Sequence, residues 1–127
     1  MLPMWGVHAR THIVHDGDTL SLGQRTLRFL SCPFICTPGS MLIFDETDQL
    51  LFSGDLFALL GPQEWRLFAE GDQTKALKTV QPLKLGRTDY VNQALARVKD
   101  LPVRIVASGH GQALRGDIPR LAEALMG

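Results

Sequence analysis

Cys36, Asp55 and His110 are the side chains of this chain best placed to hold a metal ion. Each stands beside glycine or proline just past an apolar run, in Cys36-Thr37-Pro38-Gly39-Ser40-Met41, Ser53-Gly54-Asp55 and Ser108-Gly109-His110-Gly111. Such places are where a sheet edge hands the chain to a loop. Three protein donors and a water are the usual inventory of a catalytic zinc. Such a centre lowers the pKa of its bound water and can hydrolyse an ester or thioester. A thiolate among the donors favours zinc over a carboxylate-bridged iron pair. Blander roles compete for each residue. Asp55 can cap the turn that follows it, His110 can be a solvated turn residue, and Cys36 can be a small buried group. An ionised carboxylate near a core is costly unless a cation or donors meet it, and placement at a strand end relieves that cost. Residue type alone favours the turn cap for Asp55, and its place among the three segments favours the ligand role. Glycine on both sides of His110 lets the imidazole be aimed instead of packed.

Other candidates are weaker. His8, His12 and His15 are closely spaced, but in a strand His12 and His15 point to opposite faces and cannot converge. They read as structural or exposed, and His15-Asp16-Gly17-Asp18 reads as a turn. A Cys32–Cys36 disulfide would close a very tight loop, so both thiols are expected reduced.

The elements that must position these groups fit one domain over residues 1–127. Thr11–Val14 reads as a strand. Thr19–Leu22 and Thr26–Leu30 flank Gly23-Gln24, a two-residue hairpin turn with glycine first. Leu27 and Phe29 alternate with Thr26 and Arg28, which predicts a sheet with one wet face. Met41–Phe44 and Leu50–Phe52 are continuous apolar runs, read as a buried hairpin with a solvated Asp45–Gln49 tip. Residues 56–84 carry little pattern beyond the Gly61-Pro62 break and a short helix near Thr74–Lys78. Arg87–Lys99 is a helix with Tyr90, Val91, Ala94, Leu95 and Val98 on one face and Thr88 as its cap. Val103–Ala107 is a strand leading into Gly109-His110-Gly111. A last helix starts from Asp117 and presents Ile118, Leu121, Ala122 and Leu125. The order predicts mixed α/β (α+β) structure with helices on one face of a mostly antiparallel sheet.

Composition excludes several partners. Thirteen basic and thirteen acidic side chains cancel, leaving no field to hold a phosphate backbone, so nucleic acid is not expected. No apolar stretch approaches the roughly 20 residues that span a bilayer. The opening Met1–Gly6 has no basic or apolar signal region. Two cysteines without an export signal point to the cytoplasm.

The three motifs, in this order, resemble the second half of a metallo-β-lactamase-type domain, in particular the oxygen- and nitric-oxide-reducing flavodiiron, oxygen-binding diiron branch. The family's later ligands are a histidine, a bridging aspartate and a final histidine. The first falls at Ile35-Cys36-Thr37-Pro38-Gly39-Ser40-Met41, where cysteine replaces the histidine. The bridging aspartate matches Asp55, and the final histidine matches His110, with Arg115 nearby as in the family. The helix carrying Tyr90 also falls where the family has one. The resemblance runs from about Asp18 to the C-terminus and implies half of an αββα sandwich. The family's opening motif, His-x-His-x-Asp-His or His-x-Glu-x-Asp-His, is not found, and no residue is assigned to the flavin of the full proteins.

Two functional classes follow. In the first, the chain is a binding or sensing module with an incomplete site. In the second, it is a metal-dependent hydrolase or diiron-type oxidoreductase whose site is completed by dimerisation or by a partner chain. The metal expected is iron from the resemblance or zinc from the donor set; a metal-free scaffold is the remaining outcome. A third reading makes the chain a segment of a longer polypeptide. Half a sandwich would leave one apolar sheet face bare, which predicts a homodimer or a partner carrying the missing half.

Overall fold

A computed structural model describes residues 6, 8–35, 37–60 and 66–126. Cys36, the Gly61-Pro62 break and Met1–Trp5 lie outside the described residues. The elements are β1 (Thr19–Ser21), β2 (Thr26–Ser31), β3 (Met41–Asp45), β4 (Leu50–Gly54), α1 (Thr74–Lys84), α2 (Thr88–Lys99), β5 (Ile105–Ser108), β6 (Leu114–Arg115) and α3 (Ile118–Leu125). The six strands form one sheet in the order β1-β2-β3-β4-β5-β6. All neighbours are antiparallel except β4 and β5, which are parallel. A parallel pair needs a long crossover, and the segment carrying α1 and α2 supplies it. This one parallel pairing brings the C-terminal ends of β4 and β5, and so Asp55 and His110, to the same edge.

Alternation along the strands divides the sheet into two faces. Leu30, Leu42, Phe44, Leu51, Val106 and Leu114 are buried and share a core with residues of all three helices. From the helices come Leu77, then Val91, Ala94, Leu95 and Val98, then Ile118, Ala122 and Leu125. Leu42 and Leu51 of the sheet and Leu77, Leu95, Val98 and Ile118 of the three helices are fully buried, so the hydrophobic contribution comes from the layer between sheet and helices.

The opposite face carries Phe29, Ile43, Phe52 and Ala107 in register across β2 to β5. A second row sets Leu27 opposite Asp45, then Leu50, Ile105 and Arg115. Phe52 is 44% exposed, and the other apolar members of both rows are half-buried. Among the described residues, no helix lies on this face. The expectation of one wet face therefore holds in a reversed sense. Thr26 and Arg28 lie on the side of the helices, whereas Leu27 and Phe29 lie on the uncovered side. Arg28 ends in an ion pair with Glu46.

Several local expectations change. Thr11–Val14 is not a strand: these residues lack strand pairing, and Thr11, His12 and Ile13 are exposed. The short β1 is the outermost strand of the sheet, so the segment before it has no ladder to join. The hairpin turn is as expected, with Leu22 N–H donating to Arg25 C=O at 2.7 Å and Gly23 at φ +89°. Helix α1 runs past Lys78 to Lys84 despite Pro82, which falls in its last turn. It starts where the Asp72 carboxylate accepts from the N–H of Thr74 at 2.9 Å. Thr88 is not the cap of α2: it is already helical, and Arg87 holds the cap position with extended backbone. Asp117 does cap α3, accepting from Arg120 N–H at 3.1 Å. Strand β6 was not anticipated, because its two residues carry no alternation to read.

Two charged clamps close the periphery. Arg97 of α2 donates to Asp16 and, at 3.0 Å, to the Ser31 carbonyl, while Asp16 accepts from Ser31 N–H at 2.8 Å. Hydrogen bonds from Arg97 and then from Ser31 hold the Asp16 carboxyl below the usual carboxylate range. At the other end of the sheet, Arg25 donates to Asp45 at 2.7 Å and also pairs with Asp48. Burial pushes the Asp45 carboxyl up, but the Arg25 hydrogen bond and the N–H groups of Thr47 and Asp48 outweigh it and hold it low.

Candidate metal site

Strand β4 ends in a bulge. Its register with β5 shifts between Phe52 and Gly54, and Gly54 takes φ +58°. Ser53 is buried just before the bend, where its hydroxyl donates to Leu56 C=O at 2.5 Å and its carbonyl accepts from Leu56 N–H at 3.1 Å. This tight turn swings Asp55 out of the sheet while Leu56, Phe57, Ala58 and Leu59 fold back into the core. The carboxyl group is thereby kept at the strand end, its side chain 19% exposed, without desolvating it fully.

His110 is held from the other side of the same edge. Gly109 N–H donates to Gly54 C=O at 2.7 Å, which ties the two strand ends directly. Leu59 N–H donates to His110 C=O at 3.1 Å, and the Ser108 hydroxyl donates to the same carbonyl at 2.8 Å. Gly111 completes the interlock at φ +83°. A Cβ there would lie 2.4 Å from the Leu59 carbonyl oxygen, so only glycine fits without displacing backbone.

The result is that His110 Nε2 and Asp55 Oδ1 stand 3.4 Å apart. Metal–ligand bonds of about 2.0–2.1 Å at tetrahedral angles place neighbouring donor atoms about 3.3–3.4 Å from each other. The carboxylate and imidazole are therefore spaced as two adjacent ligands of one ion. Where the imidazole is protonated, the same contact is an ion pair of the water-screened surface kind. Among the described residues, no group of three histidine, cysteine or acidic side chains converges on a point. The described residues thus bring two such side chains together here and no third.

Of the sequence-derived candidates, Asp55 and His110 come together. Cys36 lies outside the described residues, though its neighbours are anchored. Ile35 is buried, Gly86 N–H donates to Ile35 C=O at 2.9 Å, and Phe34 stacks on Tyr90 at 5.0 Å between ring centroids. His8, His12 and His15 are exposed and join no cluster among the described residues, in line with the structural or exposed reading. Cys32 is a free thiol in the core, and burial raises its pKa above the ordinary value. Arg115 stacks over the Phe68 ring at 4.4 Å. The supports that sequence reasoning missed are Ser53, Leu59 and Ser108. The only hint of their roles was their closeness to the glycines.

With this geometry in place, comparison with known proteins is specific. Residues 1–111 match the family described as ODP family beta lactamase. The chain is 31% identical over 122 residues to the anaerobic nitric oxide reductase flavorubredoxin of Aeromonas salmonicida, covering 91% of this chain and 23% of that protein. Its fold superposes on a flavo-diiron protein variant from Thermotoga maritima with a TM-score of 0.81 at 20% identity, over 98% of this chain and 32% of that one. It also superposes on the diiron chemotaxis sensor ODP, with a TM-score of 0.74 at 23% identity, over 87% of this chain and 49% of the other. The chain thus spans about a quarter of the first curated relative and a third of the first solved one. It belongs to the ODP family of β-lactamase-like proteins and carries part of the flavodiiron-type domain.

Proposed function

We propose that this chain is a metal-binding module of the β-lactamase fold that uses Asp55 and His110 as a partial ligand set and acts in sensing, not in turnover. The observation that carries this reading is the 3.4 Å spacing of the two donor atoms at the joined ends of β4 and β5. Asp55 supplies the negative charge that draws a cation to the edge, and His110 supplies a nitrogen donor held in place by its own backbone carbonyl. Two donors leave most of the coordination sphere open, which suits a labile ion more than a fixed catalytic one. Iron would bring affinity for oxygen or nitric oxide, and zinc would bring Lewis acidity. The likeness to the chemotaxis sensor supports a sensing role, and the free buried Cys32 is in keeping with a reducing cytoplasm. No helix among the described residues is long and apolar enough to cross a membrane.

A second reading is favoured by the nitric oxide reductase relatives. Here the site is completed by a second copy or by a chain carrying the missing half, and the assembly is a diiron-type oxidoreductase or a metal-dependent hydrolase. Cys36 is the third candidate donor under either reading.

Metal analysis of protein purified without chelator tests the proposal. Iron or zinc bound by the wild type and lost in His110→Ala, with the fold intact by circular dichroism, is the expected result. Fully folded protein that takes up no metal would refute it.

A further inference from the structure

Asp55 opens a four-residue turn. Its carbonyl accepts from Ala58 N–H at 3.3 Å, and the third residue of the turn, Phe57, stands at φ +63°. A turn with a left-handed third residue calls for glycine or asparagine there. Phenylalanine is disfavoured in that conformation by the approach of its Cβ to the following carbonyl oxygen. It persists only where the surroundings fix it. Phe57 is 2% exposed and belongs to the hydrophobic core, so its ring is held. The chain is pinned on both sides of it. Leu56 N–H donates to Ser53 C=O at 3.1 Å, and Leu59 N–H reaches across to His110 C=O at 3.1 Å. The left-handed residue thus lies between the carboxylate at one end of the turn and the grip on His110 at the other. Among the described residues, non-glycine backbone of this kind occurs at Phe34, Gln49 and Phe57. Gln49 ends the turn into β4, whereas Phe34 is two residues before Cys36 and Phe57 two after Asp55. Two of the three candidate-ligand segments therefore carry a phenylalanine where the backbone favours glycine. Strained backbone of this sort gathers at ligand clamps.

On the proposed reading of Asp55 and His110 as ligands, we infer that Phe57 is the positioning residue of this edge. Its buried ring holds a turn that the backbone alone would not keep, and that turn sets the Asp55 carboxylate against His110 before any ion arrives. The two demands at position 57 can be separated by side chain. Glycine accepts the left-handed backbone without cost but leaves the turn free to take other conformations, because nothing anchors it. Isoleucine fills the core but resists the left-handed region, because its Cβ is branched. Leucine is its isomer with an unbranched Cβ, so it fills the core and strains the turn less. Anchor and conformation are both required for the edge to be pre-organised.

Zinc titration calorimetry of the full chain and its Phe57→Leu, Phe57→Ile and Phe57→Gly variants, each checked for folding by circular dichroism, tests this role. A part confined to core packing gives the two isomers the same affinity. The expected result is that Phe57→Leu stays within about threefold of the wild type, as a conservative apolar exchange does. Phe57→Ile and Phe57→Gly should each lose about tenfold or more, the range seen when a group that orients a ligand is removed. Leu95→Ala, a core deletion on α2, should keep the wild-type affinity and so separates positioning from loss of stability. Crystals of the chelated proteins give a second readout that needs no metal. Asp55 Oδ1 and His110 Nε2 should remain near 3.4 Å in Phe57→Leu. In Phe57→Ile they should separate by about 1 Å or more. Equal zinc affinity in the leucine and isoleucine variants, or wild-type affinity in Phe57→Gly, overturns the positioning role. Should Phe57→Ile not fold, Phe57→Gly carries both measurements. A wild-type chain that takes up no zinc counts against the metal reading instead, and an unchanged separation in the chelated variant crystals still overturns the role of Phe57.

Discussion

Replacing Gly111 by alanine makes two demands on the backbone beside His110. The residue sits at φ +83°, where an L side chain costs about 1–2 kcal/mol. The added Cβ would also lie 2.4 Å from the Leu59 carbonyl oxygen and 2.8 Å from the Leu59 Cβ. Relieving that clash moves backbone by about 1 Å, and forced overpacking of this kind costs about 1–3 kcal/mol. The sum is about 2–5 kcal/mol. Gly23→Ala is the control, because Gly23 has φ +89° with nothing within 4 Å of the added Cβ, so only the first cost applies. Urea unfolding of the two variants should separate them by about 1–3 kcal/mol. Gly111→Ala should also weaken metal uptake while leaving both donor side chains in the chain, because the displaced segment carries His110. Equal stabilities for the two variants, or wild-type metal uptake by Gly111→Ala, would show that the Leu59–Gly111 interlock does not position the site.

Two further predictions concern the core and the periphery. Leu95→Ala, at a fully buried position of α2, should cost about 2–5 kcal/mol, read as a fall in urea midpoint with little change in slope. Asp16, Asp45 and Asp72 all have carboxyls held below the ordinary value, Asp72 chiefly by hydrogen bonds from Thr74. A carboxyl whose folded pKa lies below its unfolded value of about 3.9 adds stability that is full above the unfolded value and is lost as the pH falls from there through the folded pKa. The urea midpoint should therefore decline from about pH 5 downward, and Asp16→Asn should flatten the decline. A midpoint constant between pH 6 and pH 3 would contradict the assignment of these clamps.

Much of the sheet could be read from the chain alone. The runs Met41–Phe44 and Leu50–Phe52 are short, apolar and bounded by a charged turn, so their hairpin follows from local pattern. Asp55 and His110 stood out because each follows a strand and touches glycine. Their closeness depends instead on the parallel pairing of β4 with β5 across a long excursion, which no local signal encodes. The interlock behind them was invisible for the same reason. Leu56 to Leu59 look like a featureless loop, yet they are buried because the Gly54 bend turns them inward. Thr11–Val14 failed for want of a neighbour, since a β-favouring stretch beyond the edge strand has no partner. The reversed polarity of β2 has a similar origin. Leu27 and Phe29 were correctly placed together on one face, but which face the helices cover is decided by α2 and α3.

The most direct measurement of the central claim follows the histidine side-chain nitrogens by nuclear magnetic resonance as zinc is added to chelated protein. The account predicts a large, saturable shift at Nε2 of His110, the atom 3.4 Å from Asp55 Oδ1, that is absent in Asp55→Asn. His8, His12 and His15 should stay at their metal-free positions. Shifts spread evenly over all four histidines, or none at His110, would contradict it.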